Sequence, residues 1–309
     1  MGISLGWSLS SEMKSHVESK SFLFGLGAQK AGTTWLFNYL SGHPQAAMND
    51  WKEYGFWDTL LLGDQTRQLA YQERLVKLGP SANLPNSPLG SSSQAVAERA
   101  RRQWNGLSVS LNLMENPSTY MDHFEDIAAQ QAGTRLVGDI TPSYARLREG
   151  HLTEVKDRVE TAGFCIKPVF LVREPLCRLK SAYSMYLRRK LGTKPIISFE
   201  EFAISKPNVI RTRYEETVAA LDSAFGPENV YFAAYESFFN ADQLHALCAF
   251  LNIDLVPANF EKKVNPAKHA VEVDPEVAQA VYNAYEPTRQ FLYKRFPSWD
   301  LESLWKYSD

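Results

Sequence analysis

The sequence of 309 residues predicts an α/β fold, in which a parallel sheet is covered by helices on both faces. The first observation is that short apolar segments alternate along the chain with segments of helical periodicity. The second is the segment 167–172, whose apolar and β-branched residues are typical of a parallel strand buried on both faces. The third is a glycine-bearing turn that joins the first strand directly to the first helix. Together these features predict repeated strand–helix units.

The elements are predicted in order from the first strand onward. The apolar run 22–24 predicts a buried strand, and apolar residues at helical spacing in 35–40 predict a helix that ends at 43–44. Further strands are predicted at 46–48, 135–140, 167–172 and 229–234, and further helices at 151–162, 175–190, 214–225, 244–251 and 275–295. Helical periodicity is weak across 60–130, and the Pro, Ser, Gly and Asn content of 79–93 predicts a loop.

Composition and charge are those of an ordinary globular protein, with 44% hydrophobic residues and a net charge of −2, which predicts no nucleic-acid partner. No apolar run reaches the ~18 residues of a transmembrane segment, and the charged first 20 residues do not resemble a signal peptide. Three widely spaced cysteines predict free thiols in a reducing compartment. We therefore expect a cytoplasmic protein with a mobile lead-in at 1–20 and a single domain at 21–309.

The turn after the first strand has the composition of an anion site. Glycines at 25, 27 and 32 precede a helix N-terminus, whose first N–H groups have no partner inside the helix and favour negative charge. The spacing Gly27-x4-Gly32-Thr33-Thr34 nearly repeats the P-loop pattern, so the predicted sheet is P-loop-like. Thr33 stands where the pattern has its lysine, and Lys30 lies inside the loop instead. This displacement indicates a phosphate cradle for something other than a magnesium-bound nucleoside triphosphate.

A second anion-binding pattern follows the strand 167–172. Arg173 stands at the carboxyl end of this strand, where open α/β sheets bind ligands, and Arg178 and Ser181 are three residues apart on the next helix. An arginine and a hydroxyl can hold a terminal phosphate by charge-assisted hydrogen bonds. The segment 167–194 holds eight Lys or Arg residues and one acid, which in a nearly neutral protein suits a discrete anionic ligand.

Both patterns resemble those of one family. Gln-Lys-Ala-Gly-Thr-Thr-Trp-Leu at 29–36 resembles the 5'-phosphosulfate loop of sulfotransferases that use 3'-phosphoadenosine 5'-phosphosulfate (PAPS), and 172–183 is similar to their 3'-phosphate motif. The resemblance implies that the 5'-phosphosulfate is bound by Lys30, Ala31, Gly32, Thr33, Thr34 and Trp35, and the 3'-phosphate by Arg173 and Ser181. It also implies that Lys30 stabilises charge on the bridging oxygen. The segment 263–269, with Lys268, precedes the final helix as does the family's basic loop over the nucleotide.

The catalytic base is implied by a third motif. Lys52-Glu53-x2-Phe56-Trp57-Asp58 resembles the Lys-Glu-x-x-Phe-Phe-Asp stretch of heparan-sulfate and related carbohydrate sulfotransferases, in which the glutamate is the base, so the role falls to Glu53. Gly55 stands at the position of the histidine that the family has within this stretch. His43 is the alternative base, because cytosolic members of the superfamily use a histidine. The segment 138–144 resembles the family's Glu-Lys-x-Pro-x-Tyr stretch with Asp139 as its acid, which implies acceptor positioning.

The resemblance, closest to the carbohydrate type in a bacterial-like cytosolic form, implies a sulfotransferase. It would move a sulfuryl group from PAPS to a hydroxyl of a carbohydrate, lipid or small-metabolite acceptor by in-line transfer, with no metal. The segment 60–130 matches no family motif and is predicted to be an acceptor-binding insertion. Two alternatives stay open, namely a small-molecule kinase with a degenerate P-loop and a non-catalytic nucleotide-binding module.

Overall fold

A computed structural model of the chain describes residues 19–82, 91–190, 195–260 and 271–306. Within these residues four parallel strands form one sheet in the order β2-β1-β3-β4. The strands are β1 Ser21–Gly27, β2 Leu136–Ile140, β3 Cys165–Val172 and β4 Tyr231–Ala234. The predicted α/β fold with a parallel sheet is therefore confirmed. Nearly all of the predicted lead-in at 1–20 lies outside the described residues.

Helices cover the sheet and extend beyond it. In chain order the α-helices are α1 Thr33–Ser41, α2 Phe56–Leu62, α3 Thr66–Ala82, α4 Ser91–Glu115, α5 Tyr120–Gln130, α6 Glu149–Thr161, α7 Pro175–Lys190, α8 Phe199–Ile204, α9 Lys206–Thr212, α10 Tyr214–Phe225, α11 Tyr235–Phe238, α12 Ala241–Leu251, α13 Pro275–Ala284, α14 Glu286–Arg295 and α15 Leu301–Leu304. Short 3₁₀ helices include Pro142–Arg146, directly after β2. No helix of the described segments is both long and apolar enough to cross a bilayer.

The sheet places three loops at one edge. Every residue of β1 is buried, as expected for a central parallel strand with both faces covered. Its register pairs Phe24 with Asp139 of β2 and with Pro168 of β3, so the carboxyl ends of all three strands lie side by side. The segments that follow these ends, at 28–32, 141–146 and 173–174, therefore meet at the edge where parallel sheets bind ligands.

Three predicted elements differ in the structure. The segment 46–48 makes one isolated β-bridge, from Ala46 to Leu136, in which Leu136 N–H donates to Gln45 O at 3.1 Å and Ala47 N–H donates to Leu136 O at 2.8 Å. The bounds predicted for the loop at 79–93 were wrong at both ends, because α3 continues to Ala82 and α4 begins at Ser91. Packing of α3 against α4 outweighs the local propensity of these residues for a turn. The helix predicted at 275–295 is divided, because Pro287 lies in the first turn of α14 and cannot continue α13.

Two smaller apolar clusters lie outside the main core around the sheet. One joins α7, α8 and α13 through side chains such as Leu179, Phe202 and Val281. The other joins α3 to α4 through Tyr71, Leu107 and Leu111. The segment 60–130, predicted to bind the acceptor, thus contains helices with an apolar cluster of their own, and its role stays a prediction.

Candidate active site

The turn between β1 and α1 is held in an open conformation. Ala28 N–H donates to Leu171 O of β3 at 2.6 Å, and Ala31 N–H donates to Ala28 O at 3.1 Å. Gly32 caps the helix with a φ of 91°, a left-handed conformation that favours glycine. Within the described part of the chain, the amides of residues 32–34 have no hydrogen-bond acceptor. They are the donors that an anion at a helix N-terminus would use.

Lys30 is held in the middle of this turn. Its φ of 74° is unusual for a residue with a side chain, and such conformations cluster at functional sites. Arg173 Nη1 donates to Lys30 O at 3.1 Å and so fixes this backbone. Burial, followed by the charges of Arg188, Arg173, Arg189 and Lys52, lowers the pKa of the Lys30 ammonium. Arg173 and Lys52 contact the turn directly, and this accumulation of positive charge suits an anionic ligand.

Arg173 reaches the turn from the end of β3. Its guanidinium lies 4.4 Å from the centre of the Tyr235 ring, a cation–π contact, and Tyr214 Oη donates to Arg173 O at 3.0 Å. Arg173 Nε is buried without an acceptor among the described residues. A buried guanidinium donor that lacks an acceptor fits the phosphate predicted for this position. Ser181 lies half-buried on α7, and Lys268 lies outside the described residues.

Glu53 contacts the turn through its neighbour Lys52. Lys52 Nζ lies 3.0 Å from Glu53 Oε1 and 3.2 Å from Thr33 Oγ1, at the start of α1. Glu53 itself has a φ of 73°, and its side chain is 47% exposed, so the carboxylate is open to an incoming group. Partial burial would by itself raise the pKa of Glu53, but the charge and hydrogen bond of Lys52, with the charge of Arg67, hold the pKa below the usual value. The structure therefore brings the two predicted catalytic residues to one edge of the sheet.

The Glu53 backbone is fixed by a polar network that the sequence did not reveal. Tyr71 Oη donates to Glu53 O at 2.6 Å and accepts from Arg67 Nη1 at 3.2 Å. Arg67 Nη2 in turn donates to Asp58 Oδ2 at 3.1 Å and to Ser143 Oγ at 2.5 Å. Nothing in the local sequence of α3 distinguishes Arg67 or Tyr71 from surface residues, because their partners are far away along the chain.

Asp139 organises the other side of the Glu53 loop. Its buried carboxylate accepts hydrogen bonds from Tyr120 Oη at 3.0 Å, Tyr144 Oη at 2.5 Å and Thr141 Oγ1 at 2.7 Å. Tyr144 Oη accepts from the Phe56 amide at 3.1 Å. Burial raises the pKa of Asp139 to about 6. Asp139 is only 1% exposed, so it positions the loop through these hydroxyls and does not contact the open site.

His43, the alternative base, lies elsewhere. It follows the far end of α1, which is about 14 Å long at 1.5 Å per residue. His43 Nδ1 accepts from the Gln45 amide at 3.1 Å, which assigns the proton to Nε2, where it is donated to Asp254 O at 2.8 Å. The ring is 3% exposed. With both nitrogens engaged in the interior, this placement favours Glu53 over His43 as the base.

Trp35 supports the turn from behind. Its amide donates to Gly32 O at 2.9 Å, and its ring is buried and stacks on Tyr39 and Phe260 with centroids 5.6 and 5.8 Å apart. The indole predicted to bind the cofactor is therefore part of the aromatic core under α1. This packing fixes the N-terminus of α1, and the predicted contact of Trp35 with the cofactor stays a prediction.

Replacing Gly55 by alanine should destabilise the protein more than the same change at Gly63. Both glycines have left-handed φ, 66° and 62°, so each alanine costs about 1–2 kcal/mol of backbone strain. A Cβ at Gly55 would also overlap the Arg67 side chain, whereas a Cβ at Gly63 meets nothing within 4 Å. Overpacking adds about 1–3 kcal/mol. Denaturant unfolding of both variants checks this difference, and equal losses would contradict the proposed constraint by Arg67.

The comparisons with known proteins identify the fold. The sequence matches no family model and no curated protein. The structure is similar to a sulfotransferase from Alicyclobacillus acidocaldarius, at 20% identity and a TM-score of 0.58, over 93% of this chain and 100% of that one. A sulfotransferase domain from the curacin biosynthetic pathway is less similar, at 15% identity and a TM-score of 0.43, over 89% of this chain and 97% of that one. A sulfotransferase from Mycobacterium avium has 11% identity and a TM-score of 0.41, over 91% of this chain and 77% of that one. The chain thus shares its fold with the Alicyclobacillus sulfotransferase, and its membership of the predicted superfamily stays a prediction. The likeness to the heparan-sulfate type stays a resemblance of motifs.

Proposed function

We propose that this protein is a PAPS-dependent sulfotransferase that transfers a sulfuryl group to a hydroxyl acceptor. The observation that carries the proposal is the contact of Lys52 with both Thr33 and Glu53. It joins the anion-binding turn to a half-exposed carboxylate in a geometry that suits transfer from a bound anion to a deprotonated hydroxyl. The sulfotransferase fold found by comparison supports the same reading.

Each site residue at the carboxyl ends of the strands has a role in this proposal. PAPS supplies the activated sulfuryl group. The free amides of residues 32–34 hold its 5'-phosphosulfate, and Arg173 with Ser181 holds the 3'-phosphate, for which the orphaned Arg173 Nε is a suitable donor. Lys30, half-buried among cations, stabilises charge on the bridging oxygen. The amides and Lys30 are preorganised, because Arg173 and the β3 backbone fix the turn.

Glu53 removes the acceptor proton as the sulfuryl group arrives. A general base must reach the hydroxyl, and the half-exposed carboxylate has that access. Lys52, by pairing with Glu53, keeps the carboxylate ionised and aims it at the turn. Carbohydrate, lipid and small-metabolite hydroxyls all suit this chemistry. We place the acceptor against α2–α5, which border the Glu53 loop, and we place the protein in the cytoplasm, where its three free thiols would stay reduced.

Adenosine 3',5'-bisphosphate should raise the melting temperature more than AMP does at equal concentration. A ligand at 100 times its Kd stabilises by about 2.7 kcal/mol, and AMP lacks the phosphate assigned to Arg173 and Ser181. Arg173→Ala should remove most of the difference between the two nucleotides. Thermal unfolding monitored with each ligand checks the prediction. Equal shifts from both nucleotides, or turnover of magnesium ATP without PAPS, would contradict the assignment and favour a kinase.

A further inference from the structure

Four arginines converge beside the Glu53 loop. Arg67 Nη2 bonds Ser143 Oγ at 2.5 Å, which ties the start of α3 to the 3₁₀ helix Pro142–Arg146. Arg146, at the end of that helix, pairs with Asp64 at 2.9 Å. Arg211 lies on α9, which packs against the same 3₁₀ helix. Behind α9, Arg178 Nη2 donates to Asn208 Oδ1 at 3.3 Å, one helical turn before Arg211.

The cluster has more positive charge than its acids neutralise. Asp58 pairs with Arg67 and Asp64 pairs with Arg146, but within the described segments neither Arg178 nor Arg211 has a carboxylate partner. Arg178 is fully buried, and its Nε and Nη1 have no acceptor among the described residues. Burial, then the charges of Arg146, Arg178 and Arg67, lowers the pKa of Arg211 to about 10, against an opposing effect of Asp58. A buried arginine charge without a carboxylate partner destabilises the folded protein, and a bound anion would offset this destabilisation.

Arg67 and Arg146 lie on elements other than those of the 3'-phosphate residues, whereas Arg178 shares α7 with Ser181. Ser143 and Arg146 follow β2, whereas Arg173 follows β3, and β1 with its anion-binding turn lies between these strands. The cluster borders the base instead, because Arg67 bonds Tyr71, which bonds the Glu53 carbonyl. An anion held here would sit on the side of the turn where an acceptor hydroxyl must approach Glu53.

We propose that Arg67, Arg146 and Arg211 form a second anion subsite, which takes a carboxylate, sulfate or phosphate group carried by the acceptor. The inference rests on the proposed sulfotransferase function and narrows its acceptor to an anionic hydroxyl compound. The subsite would hold the acceptor by charge-assisted hydrogen bonds while its hydroxyl lies against Glu53. Arg178 contributes positive potential from behind α9 without contacting the ligand.

Inorganic sulfate is the direct probe of the subsite. It is titrated calorimetrically into the full-length protein saturated with adenosine 3',5'-bisphosphate, at constant ionic strength. Arg211→Gln should weaken sulfate binding about tenfold or more, because it removes a charged hydrogen-bond donor. The matched control is Arg213→Gln, since Arg213 is exposed and already paired with Glu215 and Glu216, and it should leave the affinity unchanged. Equal sulfate affinity in wild type and Arg211→Gln, or an equal loss in both variants, would overturn the subsite.

Matched acceptors then decide what carries the anion. For hydroxyl compounds that differ by one carboxylate, such as a glucuronoside and the corresponding glucoside, Arg211→Gln should lower kcat/KM only for the anionic member and leave the KM for PAPS unchanged. If sulfate binding depends on Arg211 but the enzyme transfers equally well to both acceptors, the subsite binds a free anion. That result would overturn the assignment of the subsite to the acceptor. Failure of the sulfotransferase proposal looks different, because adenosine 3',5'-bisphosphate would then not bind at all.

Discussion

Glu53→Gln should lower kcat by about 10²–10⁴-fold, the range that a general base contributes. The substitution keeps the shape of the side chain and an oxygen that can accept from Lys52, which lies 3.0 Å from Glu53 Oε1. It removes only the basic site. Affinity for adenosine 3',5'-bisphosphate should stay nearly unchanged, because the nucleotide is assigned to the turn at 30–34, Arg173 and Ser181. Steady-state kinetics with labelled PAPS and nucleotide binding by calorimetry measure the two effects separately.

The pH profile gives a second readout of the same change. A base acts when deprotonated, so kcat/KM should fall as the pH drops through the pKa of Glu53 in the free enzyme. Lys52 and Arg67 hold that pKa below the usual glutamate value, and the acidic limb should therefore lie below the ordinary carboxyl range. Lys52→Met should move the limb to higher pH, and Glu53→Gln should abolish it.

His43→Asn is the control for the identity of the base. His43 is buried at 3% exposure and bonds Gln45 and Asp254, so this variant is expected to lose stability but to keep kcat when folded. A histidine base would instead place the acidic limb near pH 6.5. If Glu53→Gln kept near-normal turnover while folded His43→Asn lost it, the enzyme would belong with the histidine-type sulfotransferases.

Lys30→Ala should lower kcat by about 10²–10³-fold, as does removal of a donor that stabilises a developing oxyanion. The backbone carbonyl that accepts from Arg173 remains, so the turn should keep its conformation. Alanine and lysine also face the same strain at a φ of 74°, so stability should change little.

Gln29→Ala is the matched control for Lys30, because it alters the same turn without removing a charge. It should leave kcat close to that of the wild type. Single-turnover and steady-state kinetics with PAPS distinguish loss of the chemical step from loss of binding. An unchanged kcat in Lys30→Ala, with only weaker PAPS binding, would reduce Lys30 to a phosphate contact.

The sequence by itself determined the α/β class and the principal strands. The apolar runs at 22–24 and 167–172 lie in strands of the structure, and those at 135–140 and 229–234 overlap strands that begin one and two residues later, because burial on both faces leaves a continuous apolar signal. It also determined which loops bear glycine, lysine and arginine at strand ends. These patterns involve residues that are neighbours in the sequence, so they can be recognised without knowing the tertiary contacts.

The tertiary structure alone decided how the loops meet. Lys52 contacts Thr33, Tyr71 contacts the Glu53 carbonyl and Arg67 contacts Ser143, and only the packing of α3 and the sheet brings these pairs together. The same holds for the arginines at 67, 146, 178 and 211, which come from four elements scattered over the chain. It also decided the surroundings of His43, whose sequence context does not show that its Nε2 donates a hydrogen bond to the backbone carbonyl of Asp254. Such contacts join segments that are far apart in the sequence, and local periodicity and spacing do not predict which distant segments pack together.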